Sequence, residues 1–406
     1  MLMLKSFFSY VRGAFIAPFF FDVDCAQPLH QPRMNIVEVN DRATRKAFLD
    51  LPRRLYKDDP NWVCPLDNDI EAVFDPNLNN FFEHGKAIRW ILRDDAGNTI
   101  GRIGAFINDL KAHKYAVPTG GCGFFECIDD QQAANLLFDT AKKWLHEHGM
   151  QAMEGPINFG ENDMWWGLLV EGFVFPYYGM NYNHAYYQTL FEKYGFEKSY
   201  EQISNKVDLL VPFPDRFYKI AKWVSQKPGY RFESLDTHQF DKYANDFMEI
   251  YNDAWEGFDG FTPITAATMR ESFRKMKPIM EPRMIWFAYV NDEPASLLVC
   301  VPDANELIRG LNGKLNLLGK LKFLYNKHIV KNTRMRAIVF GTKKKFQKHG
   351  LESATFISIG GYVLPLNRYT ELELSWVGDF NKEMISIHEA TGAKFSKRHI
   401  TYVYKF

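Results

Sequence analysis

Apolar residues recur along the chain in two periods. Over 131–148, Ala134, Leu137, Ala141 and Leu145 return at helical spacing, with Asp129 or Asp130 placed to cap the start and Gly149 to stop it. Elsewhere, short aromatic and β-branched runs flank turn residues and predict hairpins. One pairs 87–92 with 99–107 around Asp95-Ala96-Gly97-Asn98; the other pairs 284–290 with 295–301 around Asn291-Asp292-Glu293-Pro294. Further strands are expected from Ile36 and over 123–127, 153–157, 335–340, 370–376 and 400–404. Helices are expected over 42–57, 215–226 and 240–255, from Leu351, and after Asn381 as a cap.

The order of these parts repeats. A helix ending Glu192-x-x-Gly195 is followed by the apolar run 207–211, and one ending Glu389-x-x-Gly392 by 400–404, with the two glycines 197 positions apart. Glycine ends a helix readily because it enters the left-handed cap conformation without a Cβ clash. Such a repeat in 406 residues fits two domains, 34–205 and 206–406, each long enough for its own core. The expected class is α+β, each domain a mixed, mainly antiparallel sheet flanked by helices. The leader, 1–33, is apolar but broken by Lys5 and Arg12. It reads as a disordered stretch or a mis-assigned start before Met34, with an amphipathic surface anchor as its rival.

With 46% apolar residues and 49 basic against 49 acidic side chains, the chain falls among globular proteins and outside those that coat nucleic acid. Five scattered cysteines, odd in number and without C-x-x-C spacing, favour neither a disulfide framework nor a zinc site, and point to reduced cytoplasm. The neutral total hides an imbalance. Residues 307–351 hold twelve Lys or Arg and not one Asp or Glu. Within them, 311–325 mixes leucine with lysine as a membrane-surface or acyl-chain-covering helix would, and as a helix packed on a core also does. The stretch 341–351 (Gly341-Thr342-Lys343-Lys344-Lys345-Phe346-Gln347-Lys348-His349-Gly350-Leu351) lies between a strand and a helix. There, backbone N–H groups, the helix dipole and lysines can hold a pyrophosphate; a solvated basic turn has the same composition. A second segment, 158–187, interleaves polar groups with aromatics as a pocket with apolar walls does, or a long loop whose asparagines close its turns.

Gln347-x-x-Gly350 resembles the Q/R-x-x-G-x-G/A coenzyme-A pyrophosphate motif of the GNAT N-acyltransferase superfamily, although Glu352 stands at its last glycine or alanine position. The stretch 371–377, with Asn381, Met384, Glu389 and Gly392, resembles the end of that fold. The acidic loop Ile128-Asp129-Asp130-Gln131 resembles the same fold without its cofactor site. Gly155-Pro156-Ile157-Asn158-Phe159, Asn162-Asp163, 167–173 and 179–187 are similar to a bacterial group of tandem GNAT-like proteins that includes the bacterial ceramide synthases.

The resemblance implies two tandem GNAT-like domains, acyl-CoA as donor with Lys343, Lys344, Gln347, Lys348, Gly350 and Leu351 at its phosphates, and a small or lipid amine as acceptor. Substrate-contact candidates are Asn158, Asn162, Tyr178, Asn181 and Asn183. Amide formation from a thioester needs a base for the amine and a proton path, but neither a metal nor a covalent nucleophile. Candidate bases are Glu126, Asp163, His184 and Glu373; candidate acids are Tyr187 and Tyr402. The expectation is a cytoplasmic long-chain N-acyltransferase, with peripheral contact at an anionic inner membrane. The rivals are an aminoacyl-tRNA-dependent transferase, in which the basic run would meet tRNA, and a non-catalytic lipid-binding protein.

Overall fold

The computed structural model describes residues 33–162, 164–257 and 263–406. The leader expected over 1–33 lies outside them apart from Arg33, and so does Asp163.

The first half runs β1 (Asn35–Glu38), α1 (Arg42–Leu55), α2 (Asp67–Val73), β2 (Gly85–Arg93), β3 (Thr99–Asn108), α3 (Asp109–Ala112), β4 (Thr119–Cys127), α4 (Gln131–Glu147), β5 (Ala152–Gly155), β6 (Leu168–Glu171), α5 (Tyr186–Tyr194) and β7 (Glu197–Asp208). The second runs α6 (Asp215–Ser225), β8 (Tyr230–Ser234), α7 (Phe240–Trp255), α8 (Ala266–Met276), β9 (Ile285–Val290), β10 (Glu293–Pro302), α9 (Ala304–Ile308), α10 (Leu317–Tyr325), β11 (Arg334–Thr342), α11 (Leu351–Val363), β12 (Glu371–Gly378), α12 (Lys382–Ala390) and β13 (Lys394–Lys405).

All thirteen strands among the described residues join one sheet, ordered β1-β2-β3-β4-β5-β13-β7-β12-β11-β10-β9-β8, with β6 on β13. Two neighbouring pairs are parallel, β4 with β5 and β11 with β12, at equivalent places in the two halves. The halves exchange their last strands. β13, the end of the chain, lies against β5 through Tyr402↔Gly155 to Lys405↔Ala152, while β7 lies against β12 through Glu371↔Asp208 to Leu374↔Asn205. β7 and β13 then pair with each other, which makes the sheet continuous.

Helices cover both faces where the sequence supplies apolar stripes. Leu137, Phe138, Ala141 and Leu145 of α4 and Leu190 and Phe191 of α5 bury against β2–β5 together with Ile400 and Tyr402 of β13. In the second half, α6 and α11 bury Phe217, Phe356 and Ile359 on one face, and α7 and α8 bury Phe247 and Phe273 on the other. The helix stops fall where glycine was expected, at Gly195 (φ 108°) and Gly392 (φ 78°).

Three strands differ from their sequence pattern. β7 begins at polar Glu197 and ends at Asp208, leaving Leu210 and Val211 exposed, and β13 begins at Lys394. Both are interior strands with a hydrogen-bonding neighbour on each side, so backbone pairing overrides a polar sequence. β5 stops at Gly155 because Pro156 has no N–H to give the ladder.

Candidate active site

Beyond Gly121 and Glu154 the parallel strands β4 and β5 are no longer paired, and β4 continues to Cys127 paired with β3 on its other side. A bulge marks this stretch: the β3–β4 register shifts between Arg102 and Gly104, and Phe124 takes φ 50°. Gly123 is required where the chain after β5 crosses, since a Cβ there would lie 1.8 Å from the carbonyl oxygen of Ile157.

Glu126 stands at the end of this bulged strand, buried among groups from three other elements. Its Oε2 accepts hydrogen bonds from Tyr56 Oη at the end of α1 and Tyr187 Oη on α5, both at 2.8 Å. Arg102 Nη2 on β3 lies 3.4 Å from its Oε1. Tyr187 Oη in turn accepts from the Cys127 N–H at 2.9 Å. Burial pushes the Glu126 carboxyl above the usual carboxylate range, against Arg102 and the two phenols, which favour its charged form. Burial and the adjacent carboxylate push both phenols well above their ordinary value, so they remain donors. A buried carboxylate of raised proton affinity, fed by two phenols, is suited to general-base work.

A cavity of about 80 Å³ opens beside this group. Glu126, Arg102 and Tyr187 line one side, Asn305 of the second half another, and the loop 176–183 closes it with Tyr178, Asn181 and Asn183. A smaller cavity, about 10 Å³, adjoins it across Trp165, Gly179, Met180 and Asn181 and is bounded by Arg336, Trp376 and His399 of the second half.

The structure brings Glu126, Tyr187, Tyr178, Asn181 and Asn183 to one cavity. His184 lies beside it, stacked 4.3 Å from the Tyr56 ring, with Nε2 3.3 Å from the Leu55 carbonyl oxygen. The asparagines also pin the loop: Asn183 bonds both ways with Leu169 (2.8 and 3.0 Å), and Asn181 Nδ2 donates to Gly167 O at 2.6 Å. Asn162 lines the smaller cavity, its carbonyl accepting from Trp376 Nε1 at 3.1 Å, and Asn158 has a buried Oδ1 without a hydrogen-bond partner among the described residues. Tyr402 lies apart, its ring in the α4–α5 core and its hydroxyl on Glu192 Oε1 at 3.1 Å. Glu373 also lies apart, buried on β12 between Lys397 Nζ (3.2 Å) and Arg336 Nε (3.5 Å).

Tyr56 and Arg102 were not among the expected site residues. Tyr56 has no sequence signal, since a tyrosine at a helix end is ordinary. Arg102 has one: it is a guanidinium in the middle of the apolar strand 99–107, and a charge on a strand buried on both faces needs a partner.

In the 343–350 loop, Lys343 is buried and paired with Glu249 and with Glu293 (3.0 Å), Lys344 with Glu256 (2.9 Å), and Lys345 with Glu293 (2.7 Å). Acids from α7 and the β9–β10 turn therefore offset much of the loop's charge. Gln347 Nε2 reaches back to Thr342 O at 3.5 Å, Lys348 is exposed, and Leu351 is buried at the start of α11. Gly350 takes φ 80° with Ile220 and Val224 packed where a Cβ would be. The two helices after the parallel strands differ at their N-termini. Asp130 Oδ1 accepts from the N–H groups of Gln132 and Ala133 and so occupies that end of α4, whereas no side chain caps α11. Glu352 in the first turn of α11 instead folds its largely buried carboxylate onto its own N–H and the Thr342 hydroxyl, and burial raises its pKa above the usual carboxylate range, so the chain places an anion of its own at this helix start.

His399 on the smaller cavity donates Nε2–H to Asn181 O at 3.0 Å, and burial, with Lys397 and Arg336 nearby, pushes its pKa down to about 4. The unfolded chain then binds the proton first as pH falls. The contribution of His399 to stability is full above pH 6.5 and is lost toward pH 4, about 3 kcal/mol in all. Glu154, pushed up to about 7 by burial, acts in the opposite sense, so the test is a difference. In urea unfolding at pH 7 and pH 4.5, His399→Gln is expected to lose less stability on acidification than the parent chain. Equal losses would mean that His399 titrates as an exposed imidazole.

No protein-family model matches the chain. It is 31% identical over 378 residues to the bacterial ceramide synthase of Caulobacter vibrioides, covering 91% of this chain and 97% of that one. It is 28% identical over 375 residues to protein YghO of Escherichia coli, covering 88% and 92%. Among solved structures, a tandem GNAT protein from the clavulanic acid biosynthesis pathway superposes with a TM-score of 0.56 at 14% identity, covering 92% of this chain and 98% of its own. A GCN5-related N-acetyltransferase from Sphaerobacter thermophilus gives 0.50 at 10% identity, covering 92% and 95%. The fold is that of tandem GNAT proteins, and the chain, an N-acyltransferase, belongs to the bacterial ceramide synthase family.

Proposed function

We propose that this N-acyltransferase moves a long-chain acyl group from acyl-CoA to the amine of a sphingoid base, with 34–205 and 206–406 as its two domains. The observation that carries the reading is the buried Glu126, held by Tyr56, Tyr187 and Arg102, on a cavity that both halves of the chain line. The phosphates of the donor would sit at the start of α11, beside exposed Lys348, displacing the Glu352 carboxylate from the helix end. From there to Arg336 on the smaller cavity the chain follows β11 for about 20 Å, a span a phosphopantetheine arm can bridge. The amine would enter the larger cavity, and the two substrates would meet at the wall that the cavities share.

Glu126 takes a proton from the amine. The nitrogen attacks the thioester carbonyl, the C–N bond forms, the C–S bond breaks, and the proton passes from Glu126 to the departing sulfur to give the free thiol. Tyr56, Tyr187 and Arg102 act as positioning residues, holding the carboxylate in one orientation.

The test is thiol release from palmitoyl-CoA in the presence of sphinganine, with the amide identified by mass. Amine-dependent release is the expected result, faster than with acetyl-CoA. No release with palmitoyl-CoA and this amine would overturn the reading. The donor site has its own check. Lys348→Glu is expected to weaken acyl-CoA binding by about 1 kcal/mol, and Glu352→Gln to strengthen it by a similar amount, as charges at a helix N-terminus do. Unchanged calorimetric affinity in both variants would remove this loop from the donor site.

A further inference from the structure

We infer that α10 and the turn after it form a docking surface for an anionic bilayer, placed over the larger cavity. On α10, Leu317, Leu318, Leu321, Leu324 and Tyr325 fall at i, i+1, i+4, i+7 and i+8, which is one helix face. That face points outward: Leu317 is 74%, Leu318 75% and Leu321 57% exposed. Ile329 and Val330 in the π-helical turn Asn326–Val330 extend it, at 64% and 60%. A helix of a water-facing protein turns its polar side out, so an outward stripe of this size marks an interaction site.

Charge selects the partner. Lys320, Lys322 and Lys331 are exposed on the same segment, and Lys327 lies beside them. Lys322 and Lys327 donate to the carbonyls of Gly310 (3.0 Å) and Pro278 (2.7 Å) rather than to carboxylates, and 307–351 contains no acid. This is unlike Lys343, Lys344 and Lys345, which acids of the same chain neutralise. Leucines projecting from a ring of uncompensated lysines suit acyl chains below anionic headgroups. A protein partner would have to be both apolar and acidic over the same small area. No helix among the described residues is long and apolar enough to cross a membrane, so the contact is peripheral.

The other side of this segment leads inward. Leu315 and Phe323 pack in a small core with Val63 and Tyr178, and both of those line the larger cavity. A docked chain would thus hold its amine pocket one side-chain layer from the bilayer. This last step rests on the lipid-amine reading, whereas the docking surface itself does not.

Vesicle flotation of the full chain tests the surface without turnover. Binding to phosphatidylglycerol-containing vesicles is expected, at least tenfold tighter than to pure phosphatidylcholine and weakened by salt. Leu318→Ser with Leu321→Ser, and separately Lys320→Glu with Lys322→Glu, are each expected to reduce it at least tenfold. Both pairs change exposed side chains, so melting temperature and activity on a detergent-dispersed short-chain amine should hold. Equal binding by parent and variants, or binding to neither vesicle, would overturn the proposal. So would a serine pair that turns a dimer into a monomer without touching vesicle binding, which would make the face a subunit interface. Loss of vesicle binding with turnover intact separates this surface from the catalytic reading, and binding without any turnover leaves the surface standing while that reading falls.

Discussion

Glu126→Gln is expected to lower kcat for amide formation by about 10²- to 10⁴-fold, the range for removing a general base, with only a small net change in the stability of the folded chain. Two opposed effects set the stability: the amide removes a buried charge, and Arg102, itself buried, loses its carboxylate. The Glu126 carboxyl is raised by burial, so its charged form is disfavoured in the folded state, and its contribution to stability is lost as pH rises above the ordinary carboxylate value and through the raised one. A neutral amide of the same shape avoids that cost, and its oxygen can still accept from Tyr56 and Tyr187. Arg102 keeps its bond to Phe48 O at 2.8 Å and its place over the Phe48 ring, 4.6 Å from the centroid. The pH profile is the decisive reading. Parent activity should rise with pH as Glu126 ionises, and that limb should be missing in the variant. A variant with full kcat and an unchanged acid limb would place the base elsewhere.

Much of the fold was legible because it is local. Asp130 capping α4, Gly195 and Gly392 ending α5 and α12, and the two hairpins follow from side-chain hydrogen bonds, positive φ and turn chemistry, which act over a few residues. The exchange of β7 and β13 was not legible. It joins residues such as Tyr402 and Gly155, 247 positions apart, and nothing in either segment names its partner. α8 was missed as well, a short helix whose buried positions are Met269 and Phe273 alone. At the site, the strand–helix periodicity placed Glu126 at a strand end and Tyr187 in an aromatic run, but only the packing of α1 and α5 against β4 brings Tyr56 and Tyr187 to one oxygen of Glu126. The excess of lysine over 307–351 was visible and its meaning was not. It divides into lysines paired with acids nearly a hundred positions away, such as Lys343 with Glu249, and lysines of α10 that bond to carbonyls or face solvent.

Glu373 fits the same chemical description as Glu126, a buried glutamate on one strand of a parallel pair, yet its variant should fail in a different way. Its carboxylate is fully buried between two cations, Lys397 Nζ at 3.2 Å and Arg336 Nε at 3.5 Å, and Lys397 is 1% exposed. Glu373 lies on β12 and Lys397 on β13, the strands on either side of β7, where their partners are Lys206 and Ser204. The pair therefore reaches across β7 and ties β13, which β5 of the first half receives, back to β12 of the second half. Removing the one anion would leave two buried cations, which costs about 3–5 kcal/mol. Glu373→Gln is accordingly expected to lower the urea midpoint strongly, with kcat per folded molecule little changed. Lys397→Met should cost less, because Glu373 keeps Arg336, and the double variant should recover part of the loss, since no lone ammonium then remains in the interior. A Glu373→Gln chain that unfolds like the parent but has lost more than a hundredfold in kcat would reverse the assignment. The base would then be Glu373, at the joint between the halves, and Glu126 would be the structural carboxylate.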